Sequence, residues 1–222
     1  MKINYLILST SNFFQKNINK KNFFFIKKKK HFHINKLKKI NPKIIFIPKW
    51  HWIIPEEILS NYLCIGFHCT PLPYGRGGSP LQNMIVRGFK KTTLCAIKIV
   101  KKLDAGPIYK KKKISLSGTG EEILIRMYKQ ILIMIFDFCQ KIPRPKNQIG
   151  KIYNFKRRKS HQSDIKNLKK IKTIYDFIRM LDINEKNFPK AYLKNKNFLV
   201  TFSNAKLSKN EIIAKAIFKN IN

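Results

Sequence analysis

Paired cysteines, long apolar runs and nucleotide fingerprints are all missing from this chain. Its four cysteines (Cys64, Cys69, Cys95 and Cys139) form no CxxC pair and keep no regular spacing. Disulfide scaffolds and zinc ribbons both need such spacing, so the reading is of unpaired, mostly buried thiols in a reducing compartment. A zinc site on Cys64, His68 and Cys69 fails for the same reason, and no second ligand pair lies elsewhere; no metal is expected. No apolar run approaches the ~18 residues of a membrane span, and the opening MKINYLILSTSNFF lacks the apolar length and cleavage site of a signal peptide. A cytoplasmic protein is expected. The GRGG at 75–78 lacks the Lys-Ser/Thr of a P-loop, and no strand-GxGxxG-helix unit occurs. There are no internal repeats.

Acidic residues are scarce as well. Eleven Asp and Glu face 47 Lys and Arg, a formal net charge of +36. Such an excess suits a polyanion partner, such as RNA or a membrane surface. It better suits a compositional bias that fills surface positions with Lys, because the lysines are spread along the chain amid heavy use of Ile, Asn and Phe. With 222 residues and 44% hydrophobic content, the chain is long enough for one good core with room for a small second domain.

Short apolar, β-prone runs at 3–9, 22–26, 43–48, 61–67, 92–100 and 107–116 read as strands. Helical patterns fall at 34–40, 56–60, 80–87 and 121–140. Ser79 stands as N-cap and Gly88 as terminator of the third helix. The four lysines at 110–113 mark an exposed edge strand. Alternating strands and helices followed by two adjacent strands predict an α/β sheet covered by helices. Residues 143–163 read as a Pro- and Arg-bearing connector. A helix at 168–181 and apolar runs at 191–193, 198–202 and 212–218 predict a small α+β appendage. The expected division is 1–142, 143–163 and 164–222.

Two stretches carry candidate chemistry. His68 follows the apolar run YLCIGF and opens FHCTPLPYGRGGSPLQ (67–82), a loop whose Pro and Gly content argues against helix or strand. Asp104 breaks another apolar run within LDAGPIY (103–109). A His and an Asp at strand-to-loop junctions suit an active site built on strand ends. The GRGG glycines allow close backbone approach to a ligand, and Arg76 supplies charge. Trp50, His51, Trp52, Ile53 and Ile54 follow a strand, where flat-ligand pockets and ordinary aromatic packing both occur.

Jointly these pieces resemble the folate-dependent formyltransferase family, whose pattern is Asn-x-His, a Leu-Pro-x-x-Arg-Gly loop and a Leu-Asp-x-Gly turn some 35 residues later. His68, Leu72-Pro73, Arg76-Gly77 and Leu103-Asp104-Ala105-Gly106 match it, and the similarity is good over about residues 43 to 125. The resemblance implies a Rossmann-like formyltransferase sheet with helices on both faces, N-terminally shortened here. It also implies formyl transfer from 10-formyltetrahydrofolate to a primary amine. His68 would stabilise the developing oxyanion, and Asp104 would orient the imidazole. Thr70, Pro73, Tyr74, Arg76, Gly77 and Gly78 would shape the acceptor side, and Trp50, His51, Ile53 and Ile54 would line the folate side. A small amine, an amino sugar above all, is the favoured acceptor, since about 80 residues after Pro143 are short for a tRNA-binding barrel. Arg157 and Arg158 would then stand near a diphosphate or on an exposed basic loop. The alternative acceptor is a charged initiator tRNA. One departure stands out: Gly66 occupies the place of the family's Asn, which supports a third reading, a non-catalytic folate- or RNA-binding descendant.

Overall fold

The computed structural model describes residues 3–184 and 188–221. It divides into two compact units. The first comprises residues 1–76, 93–113 and 127–154, the second 77–92, 114–126 and 155–222.

The first unit is built on a six-stranded sheet. Its strands are β1 (Asn4–Ser9), β2 (Phe23–Ile26), β3 (Pro42–Lys49), β4 (Cys64–His68), β6 (Lys91–Lys98) and β7 (Ile108–Ser115), in the order β2-β1-β3-β4-β6-β7. β1 runs parallel to β2 and β3, and β3 parallel to β4, whereas β6 is antiparallel to β4. The intervening helices are α1 (Phe13–Asn17), α2 (Ile34–Ile40) and α3 (Glu56–Asn61); α5 (Gly120–Gln140) follows β7 and belongs to this unit from residue 127 onward.

Alternation along β1 and β3 explains why both faces of this sheet are covered. Leu6, Leu8, Ile45 and Ile47 join Leu37 of α2, Ile58 of α3 and Ile54 in one core cluster. The intervening side chains face the other way. The Phe46 ring stacks on Phe138 of α5 at 6.5 Å, and the Tyr5 hydroxyl donates to the Cys139 carbonyl at 3.2 Å. Burying one such side chain contributes about 1.5–3 kcal/mol, so a continuous run of apolar residues is what a two-sided strand requires. At the far edge, the lysines at 110–113 are exposed on β7 as their sequence predicts.

In the second unit, α4 (Pro80–Val86) and α6 (Ile171–Leu181) accompany an antiparallel sheet in the order β11-β10-β9: Ile212–Asn220, Phe198–Leu207 and Ala191–Lys194. Arg179 anchors α6. Its guanidinium pairs with Asp176 at 2.6 Å and donates to the carbonyls of Leu116 and Gly118 at 2.7 and 2.8 Å. A buried charge needs that full set of partners.

Several sequence expectations are corrected. Residues 74–77 form a strand, β5, although Pro and Gly crowd the segment. β5 pairs with β8 (Tyr153–Phe155), a strand within the expected connector. Sequence punctuation marks local turns, whereas this pairing is long-range. Asn61 closes α3 and does not open β4. Ser79 precedes α4 but does not cap it with its side chain: its backbone is left-handed (φ 48°), and its Oγ accepts from the Arg158 N–H at 3.0 Å.

Candidate active site

β4 delivers His68 at its last position, paired in register with Cys95 of β6. The imidazole is buried, and both ring nitrogens face acceptors. Nε2 lies 2.8 Å from the Gly75 carbonyl oxygen and Nδ1 lies 3.5 Å from Asp104 Oδ2. A carbonyl only accepts, so Nε2 carries the proton of this bond. The Gly75 oxygen also accepts from the Thr70 hydroxyl at 3.2 Å. Beneath them, the Cys95 thiol donates to the Thr70 carbonyl at 3.2 Å.

Asp104 sits in a turn of left-handed backbone (φ 51°), a conformation that costs a non-glycine residue about 1–2 kcal/mol. Gly106 closes that turn because nothing larger fits. A Cβ there would stand 1.7 Å from the Lys98 carbonyl oxygen, while the Lys98 N–H donates to the Pro107 carbonyl at 2.9 Å. The Leu-Asp-x-Gly pattern is thus a strained aspartate followed by a forced close approach.

The remaining residues separate into those near this pair and those used otherwise. Arg76 is buried, and its Nε and Nη2 donate to Gln148 Oε1 at 3.1 and 2.8 Å. Gln148 carries no signal in the sequence, being a lone Gln among Pro and Lys in the connector. Pro73 is buried, its carbonyl meeting the Tyr153 N–H at 3.5 Å, and the Tyr74 ring stacks on Tyr153 at 5.2 Å. Thr70 is fully buried, so its hydroxyl holds the loop at Gly75. Gly77 and Gly78 admit the chain's own backbone. A Cβ at either would lie within 2.6 Å of Phe155 O or Arg157 Cα, and the Gly78 N–H donates to the Phe155 carbonyl at 3.0 Å.

Arg157 is exposed, whereas Arg158 is held by its own surroundings. Its guanidinium donates to the Gln162 carbonyl and lies 5.0 Å from the Phe177 ring centroid. Burial first, then the nearby Arg87, lowers its pKa below the usual arginine value.

On the expected folate side the segment splits. Trp50 packs edge-on against Phe32 and Trp52, with centroids 5.8 and 4.6 Å away, and its Nε1 is buried with no hydrogen-bond partner among the described residues. His51 is exposed beside Trp52, Ile53 is 90% exposed, and Ile54 belongs to the core cluster of α2 and α3. An orphaned donor costs about 1–3 kcal/mol. Trp52 is exposed beside Trp50, whereas Ile54 presents no surface.

Gly66 faces Ile99. A Cβ on Gly66 would meet Ile99 Cδ1 at 2.3 Å, so the space of a longer side chain is filled by an isoleucine whose end can turn aside.

Three comparisons bear on this arrangement. The sequence model of the methionyl-tRNA formyltransferase C-terminal domain matches residues 160–219. The methionyl-tRNA formyltransferase of Sulfurihydrogenibium sp. is 30% identical over 180 residues, covering 77% of this chain and 57% of that protein. The solved methionyl-tRNA formyltransferase of Clostridium thermocellum is 40% identical, with a TM-score of 0.90 over 98% of this chain and 99% of that one. The chain belongs to the formyltransferase family. Like other members it carries the mixed sheet. HypX from Aquifex aeolicus, solved in complex with tetrahydrofolic acid, shares the fold at 15% identity (TM-score 0.74, covering 92% of this chain and 38% of that one). The chain spans just over half the length of the Sulfurihydrogenibium protein, and smaller shares of other curated family members. Among the described residues no helix is long and apolar enough to cross a membrane.

Proposed function

We propose that this formyltransferase-family chain transfers a formyl group from 10-formyltetrahydrofolate to the amino group of methionine carried on tRNA. The observation that carries the acceptor is the match of residues 160–219 to the methionyl-tRNA formyltransferase C-terminal domain. It weighs against the argument that the tail is too short for tRNA, and so favours methionyl-tRNA over an amino sugar. The 40% identity over nearly the whole Clostridium thermocellum chain supports the same choice. The net charge of +36 then has a polyanion to meet.

The geometry at His68 suits the reaction. As the amine attacks, negative charge gathers on the formyl oxygen, and a preplaced N–H aimed at that oxygen lowers the barrier. His68 Nε2–H is such a donor. It rests on the Gly75 carbonyl and would exchange that neutral acceptor for a charged one, which binds roughly twice as strongly. Asp104, facing Nδ1, keeps the ring oriented with Nε2 forward. The attacking amine loses one proton, and the departing folate nitrogen gains one. When bound, the folate supplies the formyl carbon. Trp52, exposed beside Trp50, is the residue here that would hold its flat ring.

One observation favours a second reading, a non-catalytic binding protein: Ile99 fills the space beside Gly66, where the family's Asn would stand. A single assay separates the readings. Formyl-labelled 10-formyltetrahydrofolate is offered with methionyl-tRNA and, separately, with nucleotide-linked amino sugars. Label on methionyl-tRNA supports the proposal and label on the sugar overturns it. Folate binding without transfer to either leaves the binding-protein reading.

A further inference from the structure

We propose that Gln148 is a positioning residue for Asp104, an inference that rests on the catalytic reading of the His68–Asp104 pair. Its side-chain amide is a three-way tie. Nε2 donates to the Asp104 carbonyl at 2.7 Å and to the Gly106 carbonyl at 2.9 Å, and Oε1 accepts both donors from Arg76. Four bonds use the amide's whole capacity of two donors and two lone pairs.

Each partner needs this tie. The Asp104 backbone is left-handed and strained, and strain of that kind persists only where surrounding contacts over-determine it. Among the contacts that hold the turn are the Ala105 N–H to the Lys102 carbonyl at 3.2 Å, the Lys98 bond to Pro107 and the two bonds from Gln148. Arg76 brings a buried cation whose hydrogen bonds both end on Gln148 Oε1. The position of Gln148 is itself fixed, because Lys146 and Ile108 exchange two backbone bonds at 2.7 and 2.9 Å, two residues before it. Through one side chain the Arg76 loop, whose Gly75 carbonyl holds His68 Nε2, is joined to the turn that aims Asp104 at His68 Nδ1. Both ring nitrogens of His68 are therefore set by segments that Gln148 links.

Gln148→Glu separates the two arms of the tie. A carboxylate still accepts from Arg76, in a charge-assisted pair, but presents no donor to the carbonyls of Asp104 and Gly106. Gln148→Ala removes both arms. The test measures kcat and KM of formyl transfer in the full chain for wild type, Gln148→Ala, Gln148→Glu, Asp104→Asn and the Gln148→Ala/Asp104→Asn double variant. It also records melting temperature and the His68 ring 15N chemical shifts at fixed pH. A misplacement of about 1 Å costs on the order of 100-fold in rate, so kcat of Gln148→Glu is expected to fall about 10- to 100-fold with little change in KM. The double variant should be no slower than Asp104→Asn alone. The His68 ring resonances of both Gln148 variants should move toward those of Asp104→Asn. Unchanged kcat in Gln148→Glu, or losses that multiply in the double variant, overturns the proposal. If wild type shows no formyl transfer, the catalytic reading fails and the 15N shifts alone decide: resonances that stay at the wild-type position overturn the positioning role. If Gln148→Ala does not fold, Gln148→Glu carries the test.

Discussion

Replacing Gly106 by alanine tests the construction of the Asp104 turn. The added Cβ would lie 1.7 Å from the Lys98 carbonyl oxygen and 2.8 Å from its carbon, both backbone atoms that cannot rotate away. Carbon and oxygen approach to about 3.3 Å at best, so the turn and the end of β6 must separate by about 1.6 Å. The 2.9 Å bond from the Lys98 N–H to the Pro107 carbonyl would then exceed hydrogen-bonding range. Overpacking costs about 1–3 kcal/mol and the lost bond about 1 kcal/mol, for a total of about 2–4 kcal/mol. At about 2–4 °C per kcal/mol for a chain of this size, the melting temperature should drop by about 4–16 °C. Gly88→Ala is the control: its φ is 78° but no atom lies within 4 Å of the added Cβ, leaving only the conformational cost of about 1–2 kcal/mol. Thermal melts of both variants and a formyl-transfer assay decide the matter. Gly106→Ala should melt below Gly88→Ala and lose transfer, whereas Gly88→Ala should retain it. A Gly106→Ala protein that melts no lower than Gly88→Ala and transfers normally would refute the reasoning.

Arg179→Ala should destabilise by about 1–3 kcal/mol, because the carbonyls of Leu116 and Gly118 lose their donor while Asp176 keeps its pair with Lys172 at 2.7 Å; urea titration checks this. Burial pushes the Cys64 thiol up to about 12. An acid whose folded pKa is raised contributes stability in full below its unfolded value of 9.0 and loses it as pH climbs towards 12. Melting temperature should therefore fall through that alkaline window, less steeply in Cys64→Ala, and Cys64 should resist thiol reagents at pH 8 while the chain is folded. Gly66→Asn alone should be destabilised by about 1–3 kcal/mol as Ile99 is displaced; Ile99→Val in the same chain should restore part of that loss in a thermal melt.

Much of this molecule is legible in one sequence because two-sided strands leave an unmistakable trace. INYLILS and KIIFIP became β1 and β3, and the lysines of 110–113 marked an edge. His68 and Asp104 were readable as polar residues at the ends of such runs, and the structure brings them to 3.5 Å. What escaped depends on partners far along the chain. β5 is a strand only because residues 153–155 pair with it, and Gln148 matters only through Arg76, Asp104 and Gly106. The glycines of GRGG suggest room for a ligand, whereas at Gly77 and Gly78 the room is taken by the chain itself. Ile54 belonged to an apolar run that looked like pocket lining, yet its side chain completes the core under α2 and α3. The tail shows the same limit at a larger scale. Its three strands were visible, but their apolar pattern carried no mark of the domain that residues 160–219 match.

The most direct test of the central claim is single-turnover transfer of labelled formyl from 10-formyltetrahydrofolate to methionyl-tRNA by wild type, His68→Ala and Asp104→Asn. Loss of an oxyanion donor costs about 10²–10³ in rate, so wild type should form formylmethionyl-tRNA while His68→Ala falls by at least that factor and Asp104→Asn falls with it. Transfer that survives undiminished in His68→Ala would contradict the account.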